Sequence, residues 1–151
     1  MIKNIFIIIF ISLYVFANNF KISDHISSFL IPDQFNKLHT IDENIQTIIV
    51  SFEKGTSTDI NKFLKSKKDN FLEQHKSVFI ANITDMPSIL TKFFAIPKMK
   101  TYKHKILLIN DENDHRFTKK DSKITIYKLK NGIIKNIFYI SNIKELNKIF
   151  N

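Results

Sequence analysis

Three short apolar runs, separated by stretches with helical spacing, limit this chain to an alternating strand–helix fold. They are IQTIIVSF (45–52), VFIANI (78–83) and HKILLIN (104–110). Runs of that length and β-branched content belong to strands buried on both faces. Between the first two, STDINKFLKSK (57–67) sets Ile60, Phe63 and Leu64 at i, i+3 and i+4, with Ser57 or Thr58 placed to cap a helix. KDNFLEQHK (68–76) predicts a second helical piece that buries Phe71 and Leu72. Between the second and third runs, TDMPSILTKFFAIP (84–97) predicts a helix capped by Asp85, with Pro87 in its first turn and Pro97 ending it.

After the third run, DENDHRFTKKDS (111–122) reads as an exposed loop. KITIYKLKNGIIKNIFYI (123–140) reads as two strands joined at Asn131-Gly132, because both residues tolerate positive φ. SNIKELNKIF (141–150) predicts an amphipathic helix carrying Ile143, Leu146, Ile149 and Phe150. The order implies an α/β fold: a parallel core with helices on its faces, made mixed by a C-terminal β-hairpin and closed by a helix. Leu64, Ile80, Leu108 and Ile126 should lie in the core.

The N-terminus has a different character. Lys3 precedes a nearly unbroken apolar run over residues 5–16, and Val15-Phe16-Ala17 supplies a small residue for signal peptidase. The run is too short for a comfortable membrane span. It reads as a secretory signal peptide over residues 1–17, with a mature chain beginning at Asn18 and export to the periplasm. The alternative is a retained N-terminal membrane anchor. Residues 18–30 then form a lead-in segment and residues 31–151 one domain.

Composition closes several chemistries. The chain has no cysteine, which removes a thiolate nucleophile, thiol peroxidase activity, Cys-ligated zinc and iron–sulfur clusters. Its net charge of +9 rests on lysine, with Arg116 the only arginine. Base readout and bidentate phosphate recognition favour arginine, so no nucleic-acid partner is expected. The lysines form a solvated surface with at most weak attraction to anionic lipid or polymer. Gly55 and Gly132 are the only glycines, so no G-x-G-x-x-G phosphate loop exists.

Among the histidines, His104 and His115 with Asp111 and Asp114 are the one set that could gather around a metal; a polar loop at a strand end explains them without one. Thr56, Ser57 and Thr58 are hydroxyls without a sequence-identifiable base, and helix capping explains them equally. Met86, Phe93, Phe94, Ile96 and Met99 cluster around Pro87 and Pro97. That set is either ordinary core or a peptide or lipid groove.

Several stretches, in order, resemble the thioredoxin-like superfamily, especially its peroxiredoxin and alkyl hydroperoxide reductase branch. IPDQFNKLHTID (31–42) is similar to that branch's opening β-turn-β. TIIVSFEKGTSTDINKFL (47–64) stands where those proteins have a strand, a cysteine loop and a helix. ILLINDENDHRF (106–117), the 123–140 hairpin and the last helix match its later segments, so the resemblance spans roughly residues 30–150. It implies a three-layer sandwich, with residues 86–99 lying across the sheet.

The departures decide what the resemblance carries over. The family's cysteines would fall near Thr56–Ile60, and none is there. Ser122 and Lys123 stand where its proline precedes the hairpin. Gly55, Thr56, Ser57, Thr58 and Asp59 then form a vestigial active-site loop, and no catalytic residue, cofactor or metal transfers. The expected function is an exported, redox-inactive domain that binds or scaffolds an envelope protein, with Met86, Pro87, Phe93, Phe94, Ile96, Pro97 and Met99 as its surface. The competing expectation is a cofactor-dependent protein, flavin-linked dehydrogenase-like or metal-binding, using a non-cysteine site.

Overall fold

The computed structural model describes residues 19–151; the predicted signal segment lies outside the described residues. The first apolar run forms β3 (Thr47–Ser51), every residue of which is buried. It lies parallel to β4 (Ser77–Asn82), with Ile49 opposite Phe79, and β4 lies parallel to β5 (Leu107–Ile109). On its other side β3 pairs antiparallel with β6 (Ile124–Lys130), and β6 with β7 (Ile133–Ile140). The sheet order is β5-β4-β3-β6-β7. The 31–42 stretch forms a separate antiparallel pair, β1 (Phe29–Pro32) and β2 (Leu38–Ile41).

The hairpin turn follows from backbone chemistry. Asn131 has φ 51° and Gly132 φ 74°, the left-handed values that a two-residue turn needs. A Cβ on Gly132 would also come within 3.0 Å of Nε2 of the exposed His25 side chain, which would have to give way slightly; the positive φ is what favours glycine here. The lead-in segment is tied to this hairpin: Ser23 and Ile26 donate backbone hydrogen bonds to Ile134 and Gly132.

The helices are α1 (Lys54–Lys65), α2 (Phe71–Gln74), α3 (Ser88–Leu90), α4 (Ile96–Met99) and α5 (Ile143–Phe150). α1, α2, α4 and α5 pack on one face of the sheet. Ile60, Phe63, Leu64, Leu72, Met99 and Leu146 pack in one core with Ile49, Phe79, Leu108 and Ile126. The opposite face, with Ile48, Val50, Ile80 and Tyr127, is covered by Ile26, Ile31, Ile41 and Phe117. The expectation of helices on both faces is therefore corrected. The third layer is the β1–β2 pair, the lead-in segment and the 111–122 loop, which carries no apolar helical period. That loop is not wholly exposed, since Phe117 is buried edge-on against Phe20 and Tyr127. Leu64, Ile80, Leu108 and Ile126 are all buried, as expected.

Three boundary expectations fail for physical reasons. Helix α1 starts before Ser57 and Thr58, so neither caps it; the N-cap position is Glu53, in extended conformation at φ −136° and ψ 152°. Asp85 caps nothing and instead accepts a hydrogen bond from Lys119 Nζ at 2.9 Å. Pro97 does not end its helix. A π-helical segment (Thr91–Ala95) joins α3 to α4, and Pro97 falls within the first two positions of α4. Proline inside a regular α-helix loses an N–H and presses on the carbonyl four residues back. The wider π turns re-phase the backbone just upstream, so the helical path continues to Met99.

Candidate functional site

The carboxyl ends of β3, β4 and β5 converge on one end of the sheet, the place where α/β folds usually hold a ligand. Gly55–Asp59, expected as a vestigial active-site loop, lie there as the first turns of α1. Thr56 is buried and its hydroxyl donates to the Glu53 carbonyl at 3.0 Å. The Thr58 hydroxyl donates to the Lys54 carbonyl at 2.8 Å. Gly55 and Thr58 are exposed, Ser57 and Asp59 half-buried. Each threonine proton is thus spent on a backbone carbonyl one turn back, which leaves neither hydroxyl activated by a base.

Glu53 closes this end. Its side chain leaves the helix start and accepts the backbone N–H of Ser122 through Oε1 at 3.0 Å. Ser122 sits just before β6 with φ 56°, in the Ser122-Lys123 region where the resemblance expects proline. That left-handed φ is closed to proline, and the Ser122 amide is bound to a carboxylate. Charged acceptors make the stronger class of hydrogen bond.

Behind α1 lies a polar link that the sequence did not announce. His104 is buried, with Nε2 2.7 Å from Asn61 Oδ1, and Asn61 Nδ2 donates to the Ser57 carbonyl. Gln34 donates to the His104 carbonyl and accepts the Ile106 N–H. This chain ties α1, the β1–β2 turn and the lead into β5 together. Burial, and then the charge of Lys65, push His104 from 6.5 down to about 4, so its imidazole is neutral at pH 7.

The candidate metal set is not assembled. His104 is held by Asn61, while His115 is exposed. Asp111 accepts from Asn113, and Asp114 takes two hydrogen bonds from the Arg116 guanidinium. Burial alone would raise Asp114, but Arg116 holds its carboxyl below the usual range. No group of three histidine or acidic residues gathers at metal distance among the described residues.

The apolar set over 86–99 is divided by the helical path. Met86 and Ile96, half-buried, line a groove with Pro87; Met99 is in the core. Phe93 and Phe94 line no part of the groove and are exposed, as is Pro97. The groove, about 890 Å³, runs between the β1–β2 turn and the 88–99 helical path. Its floor is Ile83 and Leu108, and the exposed Phe35 stands on the far wall. Asp33, on the same wall, accepts the N–H groups of Phe35 and Lys37 and pairs with His39 Nε2 at 2.7 Å. Burial would raise Asp33, but those hydrogen bonds hold it below the ordinary carboxylate value and fix the turn.

No family model matches the chain, and no curated protein matches it by sequence. Solved structures match it in fold. A peroxidoxin from Mycobacterium tuberculosis superposes with a TM-score of 0.55 at 14% identity, over 85% of this chain and 92% of its own. The thioredoxin domain of a thiol-disulfide oxidoreductase from Bacteroides vulgatus gives 0.53 at 14% identity, over 88% and 100%. A peroxiredoxin-like protein from Aquifex aeolicus gives 0.52 at 9% identity, over 89% of both chains. The order and pairing of strands, the helices packed on one face and these superpositions together make this a cysteine-free domain of thioredoxin-like fold.

Proposed function

We propose that this domain is a redox-inactive, non-enzymatic binding or scaffolding protein of the cell envelope. The observation that carries the reading is the state of the α1 end. The chain has no sulfur nucleophile, the buried Thr56 is hydrogen-bonded to its own backbone, and Glu53 is bound to Ser122. What the domain still offers is shape. The groove between the β1–β2 turn and the 88–99 path has an apolar floor, a polar rim with Asn36, Thr84 and Lys100, and a projecting aromatic in Phe35. An exposed phenylalanine beside such a groove suits an extended protein segment. The envelope location rests on the apolar leader, with Lys3 ahead of it and Ala17 after it.

Two results are expected. Protein recovered from an envelope fraction should begin at Asn18 on N-terminal sequencing; residues 1–17 found intact in the membrane pellet would favour the anchored alternative. In cross-linking from envelope extract, Phe35→Asp with Met86→Asp should abolish capture of the partner, and Phe35→Asp alone, at an exposed site, should weaken capture while leaving the unfolding free energy within about 1 kcal/mol of wild type. Capture that persists in the double variant, or a stoichiometric flavin or metal on the purified protein, would overturn the reading.

A further inference from the structure

The outer side of the 88–99 path carries Ile89, Leu90, Phe93 and Phe94, exposed by 68, 49, 63 and 68%. All four face outward over successive turns of the path and so form one exposed strip. None of the four lines the groove. Large apolar side chains left this bare over consecutive turns mark an interaction surface.

The charge beside the strip says what covers it. Residues 86–105 contain Lys92, Lys98, Lys100, Lys103 and Lys105 and no acidic residue. Lys103 and Lys105 approach Asp69 and Glu73 at 3.4 and 3.7 Å. Lys92, Lys98 and Lys100 are exposed and make no ion pair among the described residues. Lys92 Nζ lies 5.7 Å from the Phe93 ring, on the border between the apolar strip and the charged flank. An apolar helix face bordered by unpaired lysines is the pattern of a helix that lies in a membrane interface. Among the described residues no helix is long and apolar enough to cross a membrane, so the contact would lie in the interface plane. A second copy of this chain is a poor occupant, because it would set lysines against lysines in a chain already at +9.

We infer that the outer face of the 88–99 helix docks on an anionic lipid surface, with Ile89, Leu90, Phe93 and Phe94 entering the acyl boundary and Lys92, Lys98 and Lys100 meeting lipid phosphates. Lys92 and Lys100 also line the groove, but the apolar strip that enters the lipid does not, so the position 89 label reports the strip apart from any groove partner.

The absence of cysteine gives a direct test, because one introduced thiol is the only labelling site. The full chain carrying Ile89→Cys is labelled with nitrobenzoxadiazole, and a control is labelled through Lys135→Cys on β7. Vesicles of phosphatidylglycerol with phosphatidylcholine should raise the emission at position 89 several-fold and leave position 135 unchanged. High salt should reverse the rise. Changing Lys92, Lys98 and Lys100 to Gln in the labelled chain should raise the lipid needed by roughly a hundredfold, since each interfacial lysine contributes about fivefold. No change at position 89, or the same change with phosphatidylcholine alone, would overturn the inference. So would a rise that needs only higher protein concentration, which would identify a second copy, or one that needs only added protein extract. A leader that holds the chain on the vesicle cannot mimic the expected result, because the position 135 label would report nothing different from position 89.

Discussion

Phe63→Ala should cost about 3–5 kcal/mol, the range for emptying a buried aromatic site. Phe63 is 1% exposed on α1. Its ring lies edge-on to Phe71 at 5.5 Å and stacked on Phe150 at 5.8 Å, so one side chain joins α1, α2 and α5. Lys67 Nζ covers the same ring at 4.8 Å. Truncation removes the transfer energy of the ring, leaves a cavity that three helices cannot close together, and deletes two aromatic pairs worth about 0.5–1.5 kcal/mol each. A domain of this size has a total stability of about 5–15 kcal/mol, so the variant should unfold at much lower urea. An unchanged midpoint would mean that α1 and α5 do not pack as described.

The second large effect is a pH dependence confined to one window. In the unfolded chain His104 titrates near 6.5; in the fold it is pushed down to about 4. Between those values the unfolded chain takes up a proton that the folded chain does not. Stability is therefore full above pH 6.5 and falls as the pH drops through 6.5 towards 4. The accumulated loss is about 3 kcal/mol, from roughly 1.4 kcal/mol per pH unit. Asp33 and Asp114 are both shifted below 3.8, so their losses begin only below the window. Urea midpoints measured from pH 7 to pH 4 should fall for wild type and be nearly level for His104→Gln, whose amide can still meet Asn61. Equal slopes in the two proteins would contradict the buried, neutral assignment.

How much of this was legible in sequence depends on how far each interaction reaches along the chain. The Asn131-Gly132 turn was readable because two adjacent residues contain the whole requirement, two positive φ angles. β3 was readable because a central strand buries every residue and so shows an unbroken apolar run. The start of α1 was misplaced because Ser57 and Thr58 offered a local cap, whereas the residue at the helix start, Glu53, is committed to Ser122, 69 residues away. Asp85 was misassigned for the same reason, its partner being Lys119, 34 residues on. The end at Pro97 was misjudged because period and proline rules assume a regular α-helix, and the path is π-helical just before it. That path also divides the 86–99 apolar set, sending Met99 inward and Phe93 and Phe94 outward. His104 was singled out for a metal set that is not assembled, and its links to Asn61 and Gln34 left no signal, since each spans 43 residues or more.

The central claim of the proposed function is a thioredoxin-like fold whose α1 end carries no thiol-exchange chemistry. The most direct measurement is insulin reduction by a Thr56→Cys, Asp59→Cys variant. The two positions are three residues apart in α1 and reproduce a C-x-x-C spacing. A helix start can lower a thiol's pKa, but Thr56 is buried and the Ser122 N–H is already taken by Glu53. The variant should fold and turn insulin cloudy no faster than free dithiothreitol. Catalysis well above that level would show that the enzyme surface is intact and lacks only its sulfurs, and would contradict the account.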